Sequence, residues 1–208
     1  MSVRLIHASK QIKGISVLSD INFELEAGKV YGLLGRNGSG KTMLLRLIAG
    51  LIRPTQGEVH VFGKRLGVDT DFPESLGIII ENVGFWPGYT GMECLKLLAS
   101  IQKKVNIDEM RQALSRVGLN PDDKRRYHQY SLGMKQKLAI AQAIMEKPSL
   151  ILLDEPTNSL DKESVDDVRR LLIEERARGA LIVVASHNQE DIELLADERI
   201  CIVDGKIQ

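Results

Sequence analysis

The sequence predicts an α/β fold with a mainly parallel sheet, an antiparallel β portion at the N-terminus and an inserted α-helical subdomain. Three observations carry this. Wholly apolar runs recur at 30–34, 76–80, 150–153 and 181–185. A strand apolar at every position is buried on both faces, the condition met inside parallel sheets. A glycine-rich octapeptide joins the first of these strands to a helix. Between 88 and 147 the strand signals fade and apolar residues take up helical spacing.

Each element has its own warrant. Residues 3–34 read as short strands and turns, with Ile21, Phe23 and Leu25 alternating with polar neighbours as in a half-buried strand. Residues 27–29 turn into the strand at 30–34. The helix at 43–49 carries Leu44, Leu45, Leu47 and Ile48 and is stopped by Pro54 and Gly57. Residues 58–62 form a further strand. In the helical stretch, Met92, Leu95, Leu98 and Ala99 mark one helix. Met110, Ala113, Leu114 and Val117 mark a second, capped by Gly118, and 138–145 forms a third. Pro148 breaks the chain before the strand at 150–153. A helix over 162–178 ends at Gly179, and strands at 181–185 and 200–203 complete the sheet. The expected organisation is one domain over 1–208, with its core in 1–87 and 148–208 and the helical subdomain in 88–147.

Composition narrows the function classes. Lys plus Arg equals Asp plus Glu, at 28 each, so no basic excess supports binding along a nucleic-acid backbone. Aromatic residues make up only 4%, which disfavours base-stacking platforms. The two cysteines, Cys94 and Cys201, fall in a helix and a strand pattern and suit packing in a reducing compartment. No secretory leader pattern opens the chain, and no apolar run approaches the roughly 20 residues that span a bilayer. A cytoplasmic chain follows, with any membrane connection made through a partner.

The residues that carry chemistry begin with Gly35, Arg36, Asn37, Gly38, Ser39, Gly40, Lys41 and Thr42. They fit G-x-x-x-x-G-K-[ST], the phosphate-binding loop of nucleoside triphosphatases, between strand and helix as the motif requires. Glycines let backbone N–H groups curl round an anion, and the helix N-terminus, entered at Met43, adds partial positive charge. Lys41 is suited to the β- and γ-phosphates and Thr42 to Mg²⁺. The run 150–153 ends in Asp154 and Glu155. At the carboxyl end of a parallel strand, Asp154 faces a nucleotide's metal and Glu155 suits polarising water. Ser131 is a good N-cap for a helix, and Gly133 permits close backbone approach, so 130–136 forms a second candidate anion site. His187, after the strand at 181–185, falls at the same sheet edge. Residues 158–161, ending at Asp161, cap the next helix.

The order and spacing of these five elements resemble one family over nearly the whole chain, the ATP-binding cassette (ABC) ATPases. Residues 35–42 look like its Walker A loop, 130–135 its signature motif, and 150–155 its Walker B strand with the catalytic glutamate. Residues 158–161 look like its D-loop and His187 its switch histidine. The resemblance implies a P-loop NTPase core of the RecA-like kind, ATP and Mg²⁺ as ligands, and ATP hydrolysis. It places Glu155, His187 and Lys41 in catalysis and Thr42 and Asp154 on the metal. It also implies a head-to-tail dimer with a second copy of the cassette. There, Ser131, Leu132, Gly133, Met134 and the D-loop Asp161 complete a partner's site.

The chain departs from the family pattern in three places. Leu132 and Met134 replace the signature's glycine and glutamine, a variant that looks like bacterial exporters of the bacitracin-resistance type. Glu81 stands where the family has a glutamine that contacts the metal, and is expected there with a full charge. Ile12, with Val17, takes the place of the aromatic residue that stacks on adenine. The reading is an ATPase subunit, peripheral on the cytoplasmic face of the membrane, that energises a separate transmembrane permease for export. No nucleic acid and no insertion into the bilayer are expected. Residues 82–90, with Phe85, Trp86 and Tyr89, are the candidate permease-docking surface, or else pack locally under the insertion. The rival reading is a cassette ATPase acting on ribosomes or DNA, which usually carries two cassettes or long coiled coils.

Overall fold

The computed structural model describes residues 1–81 and 84–208; Asn82 and Val83 of the candidate docking stretch lie outside them. The apolar runs pair in parallel. β3 (Val30–Leu34) lies between β8 (Leu181–Ser186) and β9 (Glu198–Val203), and β8 continues to β7 (Leu150–Asp154) and β6 (Leu76–Ile79). β10 (Lys206–Ile207) joins the edge antiparallel to β9. Side chains of a strand point alternately to the two faces of its sheet. Ile151 and Leu153 of β7 accordingly join one apolar cluster, and Leu150 and Leu152 join another. Both faces are covered, which is why these strands read apolar throughout.

The first cluster is shared with α2 (Gly91–Gln102), α3 (Ile107–Arg116), α4 (Leu132–Ile144), α5 (Lys162–Ala177) and α6 (Gln189–Leu195). The second is shared with α1 (Lys41–Ile48) and with the N-terminal sheet. That sheet is antiparallel, in the order β2 (Ile15–Glu26), β1 (Ser2–Ile12), β4 (Gln56–Val61), β5 (Lys64–Arg65). The expected short strands of 3–34 are thus two long ones. They are irregular: the β1–β2 register shifts three times between Leu5 and Gln11. His7 and Asp20 take left-handed backbone there, and His7 Nδ1 pairs with Asp20 Oδ1 at 2.7 Å. Such bulges interrupt the alternation by which a long strand is recognised.

Between β6 and β7 the chain is helical. α2 and α3 both start in capping boxes, Thr90 with Glu93 and Asn106 with Glu109, in which side chain and backbone exchange hydrogen bonds. Gly118 ends α3 with φ 73°. Of the aromatics in the candidate docking stretch, Phe85 is buried edge-on against Tyr127, whereas Trp86 and Tyr89 stay exposed and meet each other at 6.4 Å. Cys94 is buried on α2, as a packing residue should be; Cys201 on β9 is exposed. Among the described residues no helix is long and apolar enough to cross a membrane.

Candidate active site at the carboxyl edge of the sheet

Strand register brings the chemistry together. Leu34 lies opposite Ser186 and Asp154 opposite Ala185, so the loops leaving β3, β7 and β8 emerge side by side. Open α/β sheets bind ligands beyond the carboxyl ends of their strands. A cavity of about 930 Å³ lies there. It is lined by Asn37, Gly38, Gly40, Lys41, Thr42 and Met43 of the glycine loop and α1, by Asp154, Glu155, Asn158 and Ser159 at and beyond the end of β7, and by Gln136 and Glu81.

The glycine loop is shaped by contacts that exclude side chains. A Cβ on Gly35 would collide with the Ile202 carbonyl oxygen and with Ser39 Oγ. Gly40 has φ 113°, which only glycine adopts readily, and it leads directly into α1. The β9–β10 turn props the loop from behind: Gly205 N–H donates to the Ser39 carbonyl at 2.9 Å, and the Gly205 carbonyl accepts from Ser19 N–H at 2.8 Å. Lys41, almost wholly buried, donates its Nζ to the carbonyls of Gly35 at 2.7 Å and Arg36 at 3.3 Å. Ser39 Oγ is buried with no hydrogen-bond partner among the described residues. Arg36 is exposed and, with Gly35 and Ser39, shapes the loop from outside the cavity wall.

Within the cavity lining, Thr42 Oγ1 donates to Asp154 Oδ2 at 2.5 Å. Burial pushes the Asp154 carboxyl above its usual range; the Thr42 hydrogen bond and the Lys41 charge pull it down, while Glu155 and Glu81 push it up. Glu155 has left-handed backbone, φ 50°, a conformation that costs a non-glycine residue about 1 kcal/mol. Its N–H donates to the Ala185 carbonyl at 2.8 Å. Its carboxylate is held at the end of β8: Oε1 accepts from His187 N–H at 2.9 Å and pairs with His187 Nδ1 at 2.8 Å, and Oε2 accepts from Ser186 Oγ at 3.3 Å. His187 therefore reaches the cavity through Glu155.

Other sequence expectations land elsewhere. Ile12 does not line the cavity. It pairs across the β1–β2 hairpin with Ile15, and Ile15, Ser16 and Val17 line the cavity instead. Glu81 is in the wall, but its Oε1 accepts from Arg46 Nη2 of α1 at 2.7 Å. Ser131 caps α4, accepting from Met134 N–H at 3.2 Å. Ser131, exposed Leu132, Gly133 and Met134 do not line this chain's cavity; Gly133 instead approaches the Ser159 carbonyl so closely that a Cβ would lie 3.0 Å from it. Asp161 caps α5, accepting from Ser164 N–H at 2.8 Å, which draws its carboxyl below the usual range. Sequence reading missed Ile15, Ser16, Asp204 and Gly205 in the wall, and of the candidate anion site at 130–136 only Gln136 lines it. The Asp204-Gly205 pair had a signal, the two-residue hairpin turn.

The residues present fit a nucleotide with a hard cation. The Thr42 hydroxyl and the Asp154 carboxylate form an oxygen pair beside the loop. Among the described residues no group of three His, Cys, Asp or Glu forms a cage. Mg²⁺ is commonly held this way, by one or two protein oxygens plus phosphate oxygens and water.

The family model for ABC transporters matches residues 18–158. The chain is 44% identical over 206 residues to the uncharacterized ABC transporter ATP-binding protein YybJ of Bacillus subtilis, covering 99% of this chain and 94% of that one. It is 39% identical over 197 residues to the bacitracin transport ATP-binding protein BcrA of Enterococcus faecalis, covering 91% of this chain but only 62% of BcrA. Its fold matches the dimeric structure of MJ0796, a bacterial ABC transporter cassette, with a TM-score of 0.88 at 23% identity, over 99% of this chain and 96% of that one. Sequence, fold and the convergence of glycine loop, Asp154 and Glu155 agree: the chain belongs to the ABC transporter family, as an ATP-binding ATPase domain.

Proposed function

We propose that this chain works as the engine of an exporter, hydrolysing ATP in a composite site between two copies while docked on a separate transmembrane permease at the cytoplasmic face. The observation that carries it is the single cavity on which Lys41, Thr42, Asp154 and Glu155 converge, with His187 fixed on Glu155. Lys41 exchanges the carbonyls of Gly35 and Arg36 for the β- and γ-phosphates, and Ser39 Oγ gains an acceptor or donor. Asn37, Gly38, Gly40 and Met43 cradle the phosphates. Thr42 and Asp154 hold Mg²⁺, which when bound draws charge from the phosphate oxygens. Glu81 contacts the same end of the nucleotide, with Arg46 offsetting its negative charge.

Glu155 orients the attacking water and takes its proton, and His187 holds the carboxylate in place and reaches toward the γ-phosphate. The signature segment, Ser131 to Met134, lies off its own cavity, and we assign it to the partner copy's nucleotide. The D-loop through Asp161 runs beside it. Export of an antimicrobial peptide or drug is supported by the likeness to BcrA, a bacitracin transport ATP-binding protein, and by the Leu132 and Met134 variant of the signature.

The test is Glu155→Gln. ATP affinity should match the parent, kcat should fall by at least about a hundredfold, and ATP should drive a stable dimer visible by sedimentation. Parent-like turnover would overturn the assignment.

A further inference from the structure

We propose that Asp191 is a positioning residue for hydrolysis, holding the loop that follows Glu155 against the segment that carries His187. This rests on the role assigned above to Glu155. Two ties join these segments. The inner one is the set of bonds from Ser186 and His187 to the Glu155 carboxylate. The outer one lies two residues further along: Thr157 Oγ1 donates to Asp191 Oδ2 at 2.8 Å.

Asp191 is anchored in turn. Its other oxygen, Oδ1, accepts from Arg169 Nη2 of α5. Both side chains of that pair are largely buried, and Arg169 also reaches Asp166 at 2.8 Å. Arg169 Nε is buried with no hydrogen-bond partner among the described residues, so this guanidinium depends on the carboxylates it has. Asp191 sits in the first turn of α6, whose cap Asn188 accepts from Glu190 N–H at 3.1 Å. The Asn188 N–H donates to Ser186 Oγ at 3.0 Å, the same hydroxyl that reaches Glu155.

The outer tie has something to restrain. Glu155 and Ser159 both take left-handed backbone, and strained residues persist only where their surroundings over-determine them. Gln136 Nε2 of α4 holds the loop on its other side, through the Pro156 carbonyl at 3.0 Å. Thr157 is therefore clamped between the signature helix and the switch segment, and Asp191 is the fixed end of the clamp. Without it, the carboxylate of Glu155 keeps its chemistry but loses its aim, and misplacement by an ångström is enough to slow a reaction greatly.

The experiment compares Thr157→Val, Thr157→Ser and Asp191→Asn with the parent and with Glu155→Gln, all as the full chain. Thr157→Val removes the hydroxyl at constant size and leaves the Arg169–Asp191 pair intact, so its fold is not at risk. Thr157→Val and Asp191→Asn should lower kcat by roughly ten- to a hundredfold, with KM for ATP changed by less than about threefold. Thr157→Ser should return kcat to within about threefold of the parent, and the double variant should fall no further than either single one. In the nucleotide-free chain, hydrogen exchange at the amides of Asn158 and Leu160 should speed up in Thr157→Val. Parent-like kcat in Thr157→Val beside a slow Glu155→Gln overturns the positioning role. Failure of Thr157→Ser to restore activity also overturns it. Parent-like turnover in Glu155→Gln overturns instead the reading on which it rests.

Discussion

Asp154 carries opposing demands. It must be ionised to hold a cation, yet it is buried beside Glu155 and Glu81, and burial above all raises its carboxyl pKa. The folded chain therefore binds this proton up to a higher pH than the unfolded chain does. Stability from Asp154 is complete below the unfolded value and is lost as pH rises through the folded one. The neutral isostere escapes this cost while its amide oxygen still accepts from Thr42. Nucleotide-free Asp154→Asn should melt above the parent at neutral pH, and the gap should narrow as the pH falls far enough to protonate Asp154 in the parent. Melting curves across pH check this; a lower melting temperature at every pH would contradict it. ATP turnover should be lost throughout if Asp154 holds the cation as proposed.

At the scale of elements, the hairpin between β1 and β2 decides which isoleucine lines the cavity. Ile12 and Ile15 are register partners, and only Ile15 lies in the cavity wall, beside Ser16 and Val17. None of the aromatic residues lines it. This stretch of wall is aliphatic, so a base resting on it would lack stacking, worth about 1–3 kcal/mol per base. Ile15→Tyr should tighten ATP binding by roughly tenfold, whereas Ile12→Tyr should change it little; nucleotide titration distinguishes them. Sequence could not rank these two isoleucines, because the choice depends on where the hairpin twists and on Gly205 folding in from the far end of the chain. β6, β7 and β8 were legible because burial on both faces leaves no polar position. α5 was legible from its cap at Asp161 and the glycine after its end. β1 and β2 were read too short because bulges at His7 and Asp20 break their alternation. α6 passed unseen because its seven residues bury only Ile192 and Leu195.

At the scale of the molecule, the glycine loop, Asp154, Glu155 and His187 were readable as residues, but the bonds that arm them were not. The Thr42–Asp154, Arg46–Glu81 and Glu155–His187 contacts join segments 35 to 112 positions apart in the first two cases and 32 in the third. The same is true of the junction between the helical stretch and the sheet. Glu175 of α5, its side chain only 3% exposed, accepts from Arg116 Nη1 of α3 at 2.7 Å and from Arg178 Nη2 at 2.7 Å. Arg178 also donates to the Pro148 carbonyl at 2.7 Å, where the chain returns from α4 to β7. Removing the carboxylate leaves Arg116 with only Glu174 and Arg178 with only the Pro148 carbonyl, and the charge-assisted bonds lost mean that Glu175→Ala should cost about 3 kcal/mol. That corresponds to a melting temperature lower by roughly 6–12 °C for a domain of this size. Arg116→Met differs: it leaves Glu175 with Arg178 and cuts only the link to α3. It should cost less in melting temperature while raising hydrogen exchange in α3 relative to β7 and β8. Equal losses in the two variants would mean that the cluster stabilises α5 alone and does not join the helical stretch to the sheet.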